Sequence, residues 1–241
     1  CKNSSKNIEV VFYLNTGAGQ KVYLVQLPFM NEKETILDSA VIKSGSDSIK
    51  FTIADTEINR LFEIKAKGSR ARFGFINDAP RIVIHGNYLT AKYTITGSPA
   101  SGSLKNFKDS LVVIAERTRK IKLEKDSAEK AGNKNLFSEK DKQLQKLLMY
   151  YNEFTYSYAD TVKNGAAFME VYDLLGFLVD AKKTSNVLNN AVKRFSDYWP
   201  VQKMKKYADD IADIYAKDYN AGDMLPYISL PDVNGIPFST A

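Results

Sequence analysis

Residues 91–107 have the sequence AKYTITGSPASGSLKNF, and the spacing of the apolar residues changes within this segment. Before Gly97 apolar and polar residues alternate, which is the pattern of a strand with one buried face. After Pro99 apolar residues recur every three or four positions, as on one face of a helix; they are Leu104, Phe107, Leu111 and Ile114. The segment therefore predicts the boundary of an α+β protein, with a β-domain before it and a helical domain after it.

The predicted β-domain covers residues 7–98 and contains about eight short antiparallel strands. Ile8, Val10, Phe12 and Leu14 are spaced by two and share one face of the first strand. Residues 36–42 and 49–53 flank the turn-like Ser44-Gly45-Ser46-Asp47, which predicts a hairpin. Further strands are expected at 21–27, 61–67, 71–76, 81–86 and 91–97. This number of short strands favours an antiparallel β-sandwich or a partly closed barrel.

The predicted helical domain covers residues 99–221 and contains about five helices. The first is expected to end near Lys130, before Ala131-Gly132-Asn133, and Ser138 is a candidate cap for the second. A fourth helix is expected to open at Thr184, and a fifth at Trp199-Pro200. The second helix carries a broad apolar stripe, predicted to pack in the core: Leu144, Leu147, Leu148, Tyr151, Phe154 and Tyr158.

The composition favours a folded chain of two modest units. It has 241 residues, 44% of them hydrophobic and 26% charged, and no run of about 18 apolar residues that would span a bilayer. The net charge of +6 is spread over helix positions, and no basic run is interleaved with stacking aromatics. We therefore interpret the positive charge as a solvated surface and expect no nucleic-acid partner.

The chain has one cysteine, Cys1, so an internal disulfide, a CxxC pair and a zinc cluster within it are excluded. A start at Cys1 followed by the polar residues 2–6 resembles mature bacterial lipoproteins, in which the first cysteine carries the lipid. We predict lipidation at Cys1 and a tether over residues 1–6; an arbitrary start at this position is the alternative. Surface-exported bacterial lipoproteins usually have acidic residues just after the lipidated cysteine, and residues 2–5 contain none. We therefore expect a lipid-anchored protein of the cell envelope that faces the periplasm.

Other candidate sites lack the residues that their chemistry needs. His85 is the single histidine, without a second histidine or a nearby cysteine, so we predict a structural or surface role. Gly17-Ala18-Gly19 lacks the Gly-Lys-Ser/Thr of a phosphate loop and is interpreted as a turn. The carboxylates of Asp209, Asp210 and Asp213 are predicted to be solvated. We predict no catalytic, cofactor-binding or metal-binding residue, and no cofactor.

Residues 92–107, KYTITGSPASGSLKNF, resemble the end of a β-rich domain of unknown function in envelope lipoproteins of outer-membrane bacteria. In that domain a strand ending in TGS passes into a helix that carries L-x-x-F. The segments 21–24 and 36–40 also resemble it, and the similarity covers roughly residues 7–115. The resemblance implies a β-domain at the front of an envelope lipoprotein.

Residues 222–239, GDMLPYISLPDVNGIPFS, are similar to the opening of thioredoxin-like domains of the cytochrome-maturation and peroxiredoxin-related type. The usual form is G-x-x-A-P-x-F-x-L-P-D-x-x-G-x-x-x-S, from which Leu225 and Ile228 depart. The resemblance implies that residues 222–241 open a thioredoxin-like domain whose W-C-x-x-C centre lies after Ala241. The sequence would then be part of a longer oxidoreductase, with a naturally shortened relative as the alternative. We expect residues 222–241 to be extended and docked on the helical half or on a neighbouring chain.

Two hypotheses of function follow. In the first, the chain is not itself an enzyme but the accessory and tethering region of a membrane-anchored thiol–disulfide oxidoreductase of the envelope. Its partners would be the membrane, through the lipid, and the thioredoxin domain, with an envelope protein or a glycan as a further candidate. In the second, it is a free-standing lipoprotein that binds a glycan, a peptide or a protein, as the 14 Tyr and 13 Phe would permit.

Overall fold

The computed structural model describes residues 7–15, 19–29, 32–43, 48–54, 59–175, 180–216, 229–231 and 237–239. Cys1 and the predicted tether lie outside the described residues. Eight strands precede the helices: β1 Asn7–Asn15, β2 Lys21–Gln26, β3 Thr35–Val41, β4 Ser48–Ala54, β5 Leu61–Ala66, β6 Arg72–Ile76, β7 Arg81–Asn87 and β8 Tyr93–Thr96. The described helices are α1 Pro99–Lys130, α2 Lys134–Thr161, α3 Gly165–Leu175, α4 Ala181–Arg194 and α5 Trp199–Ala216. The α+β class predicted from the change in period is confirmed.

The eight strands form a sandwich of two four-stranded sheets, with the orders β4-β1-β7-β8 and β3-β2-β5-β6. The sheets are not closed into a barrel. Their inner faces share one apolar core, in which the ring of Phe12 lies 5.1 Å from that of Phe73 in the opposite sheet. Ile8, Val10, Phe12 and Leu14 are all buried in this core, as their spacing predicted.

The predicted hairpin between residues 36–42 and 49–53 is wrong. β3 pairs with β2, whereas β4 pairs with β1 in the other sheet, so the connection between them crosses the sandwich. Alternation shows that a strand has a buried face, but it does not show which strand lies beside it. The ladders between described strands are antiparallel except that of β1 with β7, which is parallel.

The starts of two helices differ from the prediction. The Asn133 side chain accepts the Leu136 N–H at 3.1 Å, so α2 begins at Lys134 and Ser138 lies inside the helix. The Asp180 side chain accepts the Lys183 N–H at 2.8 Å, so α4 begins before Thr184. In both cases the residue that reaches the free N–H groups of the first turn is Asn or Asp rather than Ser or Thr. The predicted starts of α1 and α5 are confirmed.

The second half of α1 and the first half of α2 form a two-helix arm, residues 112–150. Two ion pairs, Lys125–Asp141 and Glu124–Lys140, join its helices. Several of its large apolar side chains are exposed: Val112, Val113, Leu123, Leu148, Met149 and Tyr150. The prediction that the apolar stripe of α2 packs in the core is therefore wrong for Leu148, and the other residues of the stripe are only partly buried. The polar contacts of α2 with α4 lie in the second half of α2. They are the Glu153–Lys183 ion pair and the contact of the Tyr156 hydroxyl with Thr184.

The helices pack against one end of the sandwich. Phe29, Leu61 and Ile76, which lie at or just after the ends of strands in the second sheet, belong to the same buried cluster as the inward faces of α1 to α5. No described helix is both long and apolar enough to cross a bilayer. Near the end of the chain, β9 Ser229–Pro231 and β10 Pro237–Ser239 pair antiparallel with each other, apart from both sheets. These six residues are extended, as predicted, and their docking stays a prediction.

Candidate functional site

The first residues of α1 are bound to the end of β6 by a buried polar cluster. The Ala100 N–H donates to Asp78 Oδ2 at 2.8 Å, and the Ile76 N–H donates to Ser101 Oγ at 2.7 Å. The hydroxyl of Ser98, which caps α1, contacts the Asp78 carboxylate and accepts the Ser101 N–H at 3.1 Å. A carboxylate beside the first turn is stabilised by the helix dipole. The cluster therefore fixes the direction in which α1 leaves the sandwich.

Asp78→Ala is expected to lower the free energy of unfolding by about 1 to 3 kcal/mol, because it leaves the Ala100 N–H without its acceptor. It also removes one acceptor of the Ser98 hydroxyl, which keeps the Ile76 carbonyl at 3.2 Å. Urea unfolding followed by circular dichroism measures the change. Asp126→Ala is the matched control, since Asp126 is exposed on α1 and should shift stability by less than about 0.5 kcal/mol. Equal midpoints for the two variants would show that the cluster does not stabilise the fold.

A second contact joins the β-sandwich to α5. The Tyr198 hydroxyl donates to the Asn59 carbonyl at 2.7 Å, and burial raises the pKa of Tyr198. The ring of Phe29 meets Tyr198 and Trp199 edge-on at 6.0 and 6.2 Å. With the Asp78 cluster, this contact holds the helical half at two separate points, which restricts its rotation against the sandwich.

Between the two halves lies a groove of about 380 Å³. Seven of the nine described residues that line it are apolar: Leu27, Pro28, Phe29, Leu61, Ala166, Met169 and Met204. The carboxylates of Glu170 and Asp173 also line it. Glu170 forms an ion pair with Lys108. Although Asp173 keeps more than a third of its surface exposed, desolvation and then the neighbouring Glu170 raise its pKa. The groove has the volume and the apolar lining of a small-ligand site.

His85, the single histidine, lies exposed on the outer face of β7. Its ring stacks on that of Tyr13 from the adjacent β1, with 4.5 Å between centroids and 4° between planes. His85 thus lies on the surface, and its structural or surface role stays a prediction. Among the described residues, no three His, Cys, Asp or Glu side chains lie close enough together to hold a metal ion.

The remaining sequence candidates fall into two groups. On α5, Asp209 and Asp210 form ion pairs with Lys205 and Lys206 one turn earlier, as expected of exposed helix charges. The side chain of Asp213, like Cys1, Gly17 and Ala18, lies outside what the structure describes. Gly19 is described, and its N–H donates to the Ile42 carbonyl at 2.7 Å where the chain passes from one sheet to the other. That strand-to-strand path agrees with a turn.

The sequence patterns did not point to Asp78, Glu170 or Asp173. Asp78 contacts residues 20 to 22 positions away, and Asp173 lies in a groove built from both halves of the chain. No local motif marks contacts of this range. No protein-family model, curated protein or solved structure matches the chain.

Proposed function

We propose that this chain is the non-catalytic accessory and tethering region of a lipid-anchored thiol–disulfide oxidoreductase of the bacterial envelope. The observation that carries the proposal is the pairing of β9 with β10. These strands fall on the SLP and PFS of the motif that resembles the opening of a thioredoxin-like domain, with Leu230 opposite Phe238. Their ladder is separate from the two sheets of the sandwich, as expected if they belong to another domain.

The remaining chain would act as a spacer between the lipid on Cys1 and that domain. A spacer that sets a distance has to resist bending, and the Asp78 cluster and the Tyr198–Asn59 bond join the sandwich to the helices at two points. Disulfide exchange needs a reactive thiolate and a resolving thiol. Cys1 cannot supply both, so the redox centre would lie in sequence after Ala241.

The gene sequence after Ala241 tests this proposal, because a W-C-x-x-C motif is expected within about 50 codons. Residues 1–241 alone are expected not to accelerate the reduction of insulin by dithiothreitol above its uncatalysed rate, whereas the protein extended through that motif should accelerate it. Changing both motif cysteines to serine should abolish the activity of the extended protein. Turnover by residues 1–241 that survives Cys1→Ser would contradict the assignment of the chemistry to the later domain.

A free-standing binding lipoprotein is the second candidate. The groove between the sandwich and the helices favours it, since its 380 Å³ and apolar walls suit a small ligand or one side chain of a peptide. The gene sequence distinguishes the two candidates, because a binding lipoprotein requires no W-C-x-x-C after residue 241.

A further inference from the structure

One face of the arm carries a groove of about 680 Å³ between α1 and α2. Its apolar lining comes from Ile121, Leu147 and Tyr150, and its basic lining includes Arg117, Lys120 and Lys146. An eleven-residue stretch of α2, residues 140–150, runs beside it and is about 15 Å long. The groove thus matches the length of about three turns of a helix.

The groove has an excess of positive charge, because Arg117, Lys120, Lys140 and Lys146 line it together with a single carboxylate, that of Glu124. Glu124 pairs with Lys140 across it at 2.7 Å, and this bond lowers the pKa of Glu124. By contrast, Arg117, Lys120 and Lys146 form no ion pair with a described residue. The arm, residues 112–150, carries ten Lys and Arg against six Asp and Glu, so most of the net charge of +6 is concentrated there.

An aromatic side chain stands at the inner end of the groove. Tyr150 is 56% exposed, yet its ring stacks on Phe154 at 6.0 Å, and Phe154 stacks on Phe107 of α1 at 5.4 Å. Stacking holds the ring in place, so a partner would lose little entropy when it covers this surface. Exposed, pre-positioned tyrosines of this kind are common anchors of protein interfaces.

The groove opens away from the helices that cover the base of the arm. Lys108 of α1 contacts Glu170 of α3, and it lies nine residues, about two and a half turns, before Arg117. The two side chains therefore point to opposite sides of α1. The α3 helix contacts one side of α1 just before the arm begins, and the groove lies on the opposite side.

We propose that this groove docks an acidic amphipathic helix of a partner protein. A helix fits because the ridge of side chains along it packs into the groove between two others, and its apolar stripe would cover Ile121, Leu147 and Tyr150. Acidic residues beside that stripe would meet Arg117, Lys120 and Lys146. A second copy of this chain would bring like charges together at the same face, and a flat bilayer does not fill a concave groove. The inference holds whether or not a redox domain follows residue 241.

A fluorescein-labelled synthetic helix of about 18 residues, with Leu at i, i+3, i+4 and i+7 and Glu at most other positions, is the probe. We expect saturable binding to the whole chain by fluorescence anisotropy, weaker at high salt. The triple variant R117E/K120E/K146E should bind at least about tenfold more weakly, and Tyr150→Ala several-fold more weakly. All these residues are exposed, and circular dichroism checks that each variant keeps its helix content.

The matched control is R119E/K122E/K142E. It makes the same change in charge on the same two helices, at exposed residues that do not line the groove, and should weaken binding by less than about threefold. Equal losses in the two triple variants would show diffuse charge attraction and overturn the proposal, as would no binding of the probe. Two other results overturn it in favour of another occupant. In the first, the protein binds phosphatidylglycerol vesicles but not the probe, and R117E/K120E/K146E abolishes the vesicle binding. In the second, sedimentation equilibrium shows a dimer that the same variant dissociates.

Discussion

Gly97→Ala is expected to lower the free energy of unfolding by about 2 to 4 kcal/mol, which is a large part of the stability of an ordinary domain. Gly97 has φ = +87°, a conformation that is costly for any residue with a Cβ. A Cβ added there would lie 2.2 Å from the Arg81 carbonyl oxygen, and a backbone atom of a central strand cannot move aside. The substitution must therefore distort either β7 or the path from β8 into α1.

Gly102→Ala is the matched control for this experiment. The same substitution is made five residues further on, inside α1, where an added Cβ meets no atom within 4 Å. Alanine is the better helix former, so stability should rise by up to about 1 kcal/mol. Urea unfolding measures both variants. A loss of less than about 1 kcal/mol for Gly97→Ala would show that the junction relaxes and that the strain argument is wrong.

Phe73→Ala is expected to cost about 3 to 5 kcal/mol, because it removes a ring from the centre of the sandwich and leaves a cavity. The side chain is 0% exposed, and its ring lies against Phe12 of the opposite sheet and edge-on to Tyr93 at 5.7 Å. Gly86 leaves room for this ring, since a Cβ there would come within 2.7 Å of it. Phe73, a residue of β6, therefore packs against three residues of the opposite sheet, and its removal leaves a gap between the two sheets.

Leu89→Ala is the control for the core variant. Leu89 is also a large apolar residue of the β part, but it is 77% exposed in the turn between β7 and β8. Its replacement should change stability by less than about 0.5 kcal/mol. Thermal or urea unfolding followed by the tyrosine signal and by far-ultraviolet circular dichroism tests both. Similar midpoints for Phe73→Ala and wild type would mean that the sandwich core repacks around the gap.

The local sequence pattern predicted strands and helices well where the burial of one face depends on the residues of a single segment. The alternation over β1 placed Ile8 and Phe12 in the core. The three-to-four spacing after Pro99 predicted the start of α1, and Ala131-Gly132-Asn133 predicted its end near Lys130. Gly97 marked the boundary because its backbone conformation is a local property. Long-range pairing had no such signal, and β3 and β4 were predicted to pair although they lie in different sheets.

The same limit applies to the candidate sites. The cations of the arm are visible in the sequence, but only the structure shows that Lys125 and Lys140 are paired, with Asp141 and Glu124, while Arg117, Lys120 and Lys146 form no ion pair with a described residue. The α2 stripe predicted a core face, yet Leu148 is exposed because the first half of α2 lies outside the packed base formed by α3 and α4. Whether an apolar face is buried depends on how many neighbours the fold supplies.

The sequence by itself determined the α+β class, the approximate positions of the strands and helices before residue 217, and the exclusion of two-sulfur chemistry within the chain. These depend on residue types and on spacing along one segment, which local sterics and amphipathic burial convert directly into structure. The tertiary structure alone decided the strand order, the Asp78 cluster, the groove between the halves and the open groove of the arm. Each of these joins residues from different elements, and many chain paths bury the same apolar faces. Only the packed fold selects the path that brings those side chains together.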